Sequence, residues 1–328
     1  MGTQIKAIIP VAGEGTRLRP HTHTVPKPLI RVAGKPILGH ILDDAVKIGI
    51  TDIVLIVGYR GRDIVDYVRA NYDVRVNFVE QETRLGLGHA IHLTRKYVGN
   101  EPVFIILGDS IFKGDLKKMV TSDGNYIGVK RVEEPQRFGV AKIEDGRIVS
   151  LVEKPEHPES NLAVVGLYCI KDTASLFGAL DSIISSDTKT KGEFQLTDAL
   201  NIMIRDGVEL RAFEVDSWFD CGKAETLLAT NRALLEMSAP HVAIEGSIII
   251  DPVYIAPDAR VEASVIGPHV SIAEKSVVTK SIIRNSIIGE SASVEDALLD
   301  SSLVGDNAVV RGTFKRLNVG DSSEIDFT

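Results

Sequence analysis

Gly13-Glu14-Gly15-Thr16-Arg17-Leu18-Arg19-Pro20 is the segment whose residue types best suit chemistry on phosphates. Glycines let backbone N–H groups approach a polyphosphate, and an arginine a few residues on can neutralise its charge. Two known phosphate loops do not fit. Leu18 stands where a dinucleotide fingerprint needs its third glycine, and Gly34-Lys35 runs into Pro36 instead of a serine or threonine. Alone, the glycine pair also suits a plain turn. His21 and His23 have no third ligand nearby, so they read as loop residues and not as a metal pair.

Short apolar runs alternate with helix-period stretches up to about residue 230, the pattern of strands joined by crossover helices in a mainly parallel sheet. Strands are predicted at Ile5 to Val11, Ile53 to Val57, Val76 to Glu80 and Val103 to Leu107. Between the first two, Ile37, Leu38, Ile41, Leu42, Ala45 and Ile48 recur at helical spacing and predict an amphipathic crossover helix. Ligands of such sheets bind at the carboxyl ends of strands, so the residues after Val11, Glu80 and Leu107 become candidates by position.

The pattern changes after a helix-like stretch, Lys223 to Met237, which Ser238-Ala239-Pro240 breaks. Aliphatic residues then recur in sixes: Ile266, Ile272 and Val278; Ile282, Ile288 and Val294; Leu298, Val304 and Val310. Sixteen residues separate Ile266 from Ile282 and Ile282 from Leu298. This is the signature of a hexapeptide-repeat, left-handed parallel β-helix, with room for roughly five coils after residue 240. The expected organisation is an α/β domain over 1–238 and a β-helix domain over 239–328, the latter serving oligomerisation.

The 328 residues are 44% apolar and 25% charged, ordinary values for a globular protein, which excludes disorder and collagen. A net charge of -8 gives nucleic acid no general electrostatic reason to bind. The sequence holds no apolar run long enough to span a membrane and no basic leader, so no membrane partner and a cytoplasmic location are expected. Cys169 and Cys221 make neither a disulfide framework nor a zinc site.

Val25-Pro26-Lys27-Pro28-Leu29 and Ala33-Gly34-Lys35-Pro36-Ile37 follow the glycine segment. Further on come Gln81 with Leu85-Gly86-Leu87-Gly88-His89-Ala90, Gly108-Asp109-Ser110, Phe138-Gly139-Val140 and Glu153-Lys154-Pro155. Ala163-Val164-Val165-Gly166-Leu167-Tyr168, Lys191-Gly192-Glu193 with Thr197-Asp198, and Trp218-Phe219-Asp220-Cys221-Gly222 complete the series. This ordered set resembles the sugar-1-phosphate nucleotidylyltransferases up to residue 236. It is most similar to the long form of glucose-1-phosphate thymidylyltransferase, with features of the uridylyltransferases.

The resemblance implies a Rossmann-like nucleotidyltransferase domain and a homo-oligomer acting on a nucleoside triphosphate and a sugar-1-phosphate. In that chemistry a sugar-phosphate oxygen attacks the α-phosphorus and pyrophosphate leaves, so positioning and charge neutralisation supply most of the rate. By resemblance Arg17 and Lys27 are catalytic, and Asp109 and Asp220 hold Mg²⁺, a hard ion that often uses one or two carboxylates. Gly13, Gly15, Gln81, Gly86, Gly88 and Asp109 bind the nucleotide, with Gln81 on the base edge and the glycine backbones beside it. Gly139, Glu153, Lys154, Val164, Tyr168 and Lys191 bind the sugar phosphate. Lys191 replaces the family's usual arginine and lacks its bidentate fork. Asp115 and Asp198 read as structural, and His89 receives no catalytic role.

The implied products are dTDP-glucose and pyrophosphate from dTTP and glucose-1-phosphate. Ile9-Pro10-Val11-Ala12-Gly13 and Gly86-Leu87-Gly88-His89-Ala90 are also similar to glucose-1-phosphate uridylyltransferases, which keeps UTP open. A mannose-1-phosphate guanylyltransferase, an inactive regulatory subunit and a bifunctional enzyme with an acyltransferase β-helix are the remaining alternatives. The last would need a histidine base from His241 or His269.

Overall fold

The computed structural model describes residues 5–58, 60–239 and 241–312. The apolar runs become β1 (Lys6–Pro10), β2 (Asp52–Val57), β3 (Arg75–Glu80) and β4 (Val103–Ile106). All four are parallel, with Ile8 registered between Val54 of β2 and Ile105 of β4. Every residue of β2 is buried, which is why it reads as a continuous apolar run and not an alternation. Helix α1 (Ile37–Lys47) crosses from β1 towards β2 and buries Ile37, Leu38, Ile41, Leu42 and Ala45. Each such fully buried leucine or isoleucine contributes roughly 1.5–3 kcal/mol.

Beyond β4 the sheet becomes mixed. The other strands are β5 (Ser110–Lys113), β6 (Asn125–Arg131), β7 (Gly139–Glu144), β8 (Arg147–Glu153), β9 (Leu162–Ile170), β10 (Leu210–Glu214) and β11 (Ser217–Asp220). The nine-stranded order is β3-β2-β1-β4-β9-β6-β10-β8-β7, and β9 runs antiparallel to both β4 and β6. β5 and β11 form a separate antiparallel pair that registers Asp220 with Ser110. Helices α2 (Gly61–Asn71), α3 (Leu87–His92), α4 (Thr173–Ser185) and α5 (Leu196–Arg205) follow in chain order, and α4 and α5 contribute Leu180, Leu200 and Met203 to the main core.

The chain divides into two compact units, Met1–Ile30 with Lys35–Leu227, and Arg31–Gly34 with Leu228–Thr328. The division falls inside α6 (Ala224–Ser238). The second unit contains three parallel four-stranded sheets, the α/β-plus-β-helix class that the repeats predict. Four coils lie among the described residues; the rest of the expected repeat region lies outside them. Ile272, Ile288, Val278 and Val294 point inward as read from the sixes.

One face corrects the reading. Ile266 pairs with Ile283, and Ile283 with Leu299, so Ile282 and Leu298 face outward at 50% and 71% exposure. The corner after Ile266, Gly267-Pro268-His269, is one residue longer than its counterpart after Ile283, and a one-residue shift exchanges the two faces of a strand. The second unit also captures residues 31–34: Arg31 Nη1 and Nη2 lie 3.2 and 3.5 Å from Glu274 and Glu290, and buried Asn231 accepts from Ala33 N at 2.8 Å.

Among the described residues no helix is long and apolar enough to cross a membrane.

Candidate active site

β1 and β4 are neighbours in the sheet while their onward connections diverge, the geometry that opens a crevice at strand carboxyl ends. The segments that leave these two strands pass very close there. A Cβ on Gly108 would stand 2.4 Å from Val11 Cγ1, so glycine is required at that position. Gly108 N donates to Pro10 O at 3.2 Å and delivers Asp109 to the crevice.

Gly15 serves approach of another kind. It sits at φ 66°, and a Cβ on it would lie 2.8 Å from Lys27 Cβ and from Thr22 Cγ2. Removing that atom lets the Lys27 segment pack under the loop. Lys27 is nearly fully buried, and its Nζ donates to Asp109 Oδ2 at 2.7 Å. Gly13, by contrast, has nothing within 4 Å of its would-be Cβ and leaves backbone open to a ligand.

Asp220 arrives from β11, fixed by Cys221 N donating to Asp109 O at 3.0 Å. A Cβ on Gly222 would lie 2.8 Å from Asp220 Oδ1 and 3.0 Å from Arg17 Nη2, so carboxylate and guanidinium converge over that glycine. Burial first, and then the charge of Asp109, push the Asp220 carboxyl above the usual aspartate range, while Lys27 and Arg17 oppose the rise. The structure thus brings Arg17, Lys27, Asp109 and Asp220 together. Two carboxylates close enough to repel, in a cleft with hard oxygen donors, fit a divalent cation that completes its shell with phosphates and water. No group of three or more histidine, cysteine, aspartate or glutamate side chains with metal-site geometry exists among the described residues, His21 and His23 included.

Two cavities adjoin at Asp109, Leu87 and Leu107. The smaller, about 230 Å³, is lined by Pro10, Val11, Gly13, Lys27, Pro28 and Gly108 as well. A larger one of about 270 Å³ carries Arg17, Asp220, Gly139, Glu153, Lys154, Val164 and Tyr168. Gly139 is placed so that a Cβ would meet Glu153 Oε2 at 3.2 Å. Tyr168 is buried, and burial together with the Glu153 charge raises its phenol well above the ordinary value, so it keeps its proton.

Two expectations are modified. Lys191, like Gly15, Gln81, Gly86 and Gly88, lines neither cavity; it is exposed and its Nζ donates to Lys154 O at 2.5 Å, buttressing the turn that carries Lys154. Gly88 offers no free amide, because its N–H is committed to Phe194 O at 2.8 Å. Gly86 and Gly88 are needed for packing: a Cβ on them would stand 2.6 and 2.9 Å from that same carbonyl oxygen. Asp115 caps a helix, accepting from Lys118 N at 3.0 Å, as a structural residue should.

Sequence reasoning assigned no role to Thr197 or Trp218, and both line the larger cavity. Thr197 is buried and its Oγ1 has no hydrogen-bond partner, an orphan hydroxyl beside the cavity. Trp218 Nε1 donates to Ser110 Oγ at 3.1 Å, with Phe138 packed edge-on at 4.9 Å. Both residues sit in motifs quoted above; only their burial and orientation distinguish them from framework.

The model of the family described as Nucleotidyl transferase matches residues 6–237. This chain belongs to that family. Among relatives of this nucleotidyltransferase, the low-salt glycan biosynthesis nucleotidyltransferase Agl11 of Haloferax volcanii is 35% identical over 242 residues. That match covers 71% of this chain and 66% of the relative, so the chain spans slightly under two thirds of that protein. A glucose-1-phosphate thymidylyltransferase of Streptomyces antibioticus is 34% identical over 280 residues, covering 81% of this chain and 77% of the relative. Among solved structures, a UDP-glucose pyrophosphorylase complexed with UDP-glucose is 28% identical, has a TM-score of 0.63, and covers 71% of this chain and 99% of its own.

Proposed function

We propose that this nucleotidyltransferase makes dTDP-glucose and pyrophosphate from dTTP and glucose-1-phosphate. The observation that carries the reading is the convergence of Arg17, Lys27, Asp109 and Asp220 where two cavities adjoin, because the reaction must bring two phosphates together. The glucose-1-phosphate oxygen attacks the α-phosphorus, the bond from that phosphorus to the β-phosphate's bridging oxygen breaks, and pyrophosphate departs. Arg17 and Lys27 neutralise charge on the transferring and leaving phosphates. Asp109 and Asp220 would hold Mg²⁺, which when bound supplies further neutralisation of the phosphates.

Gly13, Gly15 and Gln81, with the Gly86 turn, form the nucleotide end in this reading. At the other end Glu153 accepts from sugar hydroxyls, Lys154 meets the phosphate, and Gly139, Val164 and Tyr168 shape the wall. The second unit serves self-association of a homo-oligomer. The named thymidylyltransferase relative supports dTTP. UTP is the second reading, favoured by the solved UDP-glucose pyrophosphorylase complex and by the Gly86-Leu87-Gly88-His89-Ala90 segment.

Initial rates of pyrophosphate release with dTTP, UTP, GTP and ATP, each against glucose-1-phosphate and mannose-1-phosphate, test the assignment. Magnesium-dependent turnover with dTTP and glucose-1-phosphate is expected. A GTP preference would overturn the pyrimidine assignment, and no release from any pair would overturn the enzymatic one.

A further inference from the structure

Gln81 directly follows β3 and is 7% exposed. Its Nε2 donates to Gly86 O at 3.1 Å and lies 3.2 Å from His89 Nδ1. A carbonyl oxygen can only accept, so the amide face turned towards Gly86 must be the NH₂ group and not the oxygen. The second amide proton then points at His89 Nδ1, which must be the unprotonated ring nitrogen, with the ring proton on Nε2. Burial, and next the charge of His92 one turn on, lower the His89 pKa and favour this neutral ring. Both amide protons are thereby used inside the protein. Among the described residues no protein group donates to Gln81 Oε1.

We propose that His89 is a positioning residue that locks the Gln81 amide with its oxygen outward, so that the base site accepts a ring N–H and rejects a ring acceptor. This rests on the reading of Gln81 as the base contact. Uracil and thymine present N3–H to that oxygen. Cytosine presents a bare N3, and two acceptors facing each other leave both unsatisfied. Turning the amide to suit cytosine would set Oε1 against both Gly86 O and the His89 Nδ1 lone pair. Without His89 only the Gly86 contact would oppose that turn. The guanine N1–H is also a ring donor, so this contact separates UTP from CTP and ATP and leaves exclusion of GTP to the size of the site.

The test compares kcat and KM for UTP and CTP in the full-length wild type, His89→Leu, His89→Gln, Gln81→Ala and the Gln81→Ala/His89→Leu pair. Wild type is expected to favour UTP strongly. His89→Leu should lower the UTP/CTP ratio of kcat/KM about tenfold, chiefly through a lower KM for CTP, with kcat changed by less than about threefold. His89→Gln, whose amide oxygen can accept the same proton, should recover most of the ratio. In the Gln81→Ala background His89→Leu should have no further effect. An unchanged ratio in His89→Leu, or an equal loss in both backgrounds, overturns the proposal. Should the leucine variant not fold, ¹⁵N spectra of wild-type histidines decide it: a protonated Nδ1 on His89 in the neutral ring overturns the lock. If Gln81→Ala alone leaves the ratio untouched, the base assignment itself fails, a result distinct from the failure of His89.

Discussion

Lys27 Nζ donates to Asp109 Oδ2 at 2.7 Å across 82 positions of sequence, and the two ends of that bond differ in burial: the lysine side chain is 9% exposed, the aspartate 39%. The asymmetry separates their substitutions. Lys27→Met replaces a buried ammonium with an apolar chain of similar length and frees a half-exposed carboxylate, so stability should change little while kcat/KM falls about 10²–10³-fold. Asp109→Asn leaves the buried ammonium without its hydrogen-bonded carboxylate and should cost about 1–3 kcal/mol. Chemical denaturation and steady-state rates on both variants check the order; a Lys27→Met protein that unfolds as readily as Asp109→Asn contradicts it.

Asp220 should trade stability for function. Its carboxyl is pushed above the ordinary value of 3.8, so in the folded protein the ionised form carries a penalty. That penalty is complete above the raised folded pKa and vanishes as the pH falls to the ordinary unfolded value. Asp220→Asn should therefore melt higher than wild type at pH 7 without added metal, with the gap closing near pH 4. Millimolar Mg²⁺ at pH 7 should stabilise wild type and not the variant, and turnover of the variant should fall at least about 10²-fold. Equal melting temperatures at pH 7 would remove the electrostatic argument.

The parallel strands were legible because burial on both faces leaves an apolar run, as Ile53 to Val57 shows. The cleft residues were legible only through ordered motifs, since no periodicity links Asp109 to Asp220. In the repeats, Ile282-Ile283, Ile287-Ile288 and Leu298-Leu299 are adjacent aliphatic pairs, so the pattern alone cannot say which member faces inward. Corner length decides it, and corner length is a three-dimensional property. Arg31 was opaque for a similar reason: its partners Glu274 and Glu290 lie 243 and 259 positions away.

That register gives a direct comparison. Ile283 is fully buried between Ile266 and Leu299, whereas its neighbour Ile282 is half exposed. Ile283→Ala should destabilise the second unit by about 2–5 kcal/mol through lost burial and the cavity left behind. Ile282→Ala should cost under about 1 kcal/mol. Urea unfolding of the two variants tests this, and the reverse order would restore the strict sixteen-residue spacing.

At the larger cavity, Gly139→Ala should act on one substrate. The added Cβ would stand 3.2 Å from Glu153 Oε2, close enough to displace that carboxylate by a few tenths of an ångström. KM for glucose-1-phosphate is expected to rise about tenfold, since misplacement of this size already weakens oriented contacts. KM for the triphosphate should stay within about twofold. Similar rises in both constants would mean that Glu153 does not belong to the sugar end.

Thr197 permits the same dissection. Its buried Oγ1 finds no partner in the protein, and an unsatisfied buried hydroxyl costs about 1–3 kcal/mol. Thr197→Val keeps the shape and removes that cost, so the substrate-free protein should be as stable as wild type or up to about 1 kcal/mol more stable. If the hydroxyl is kept because a sugar hydroxyl or phosphate oxygen completes it, KM for glucose-1-phosphate should rise roughly tenfold with kcat nearly constant. Serine at this position, which restores the hydroxyl without the methyl, should recover affinity but not stability. A valine variant with unaltered KM would assign the orphan hydroxyl to the framework and take the α5 edge of the cavity out of the substrate site.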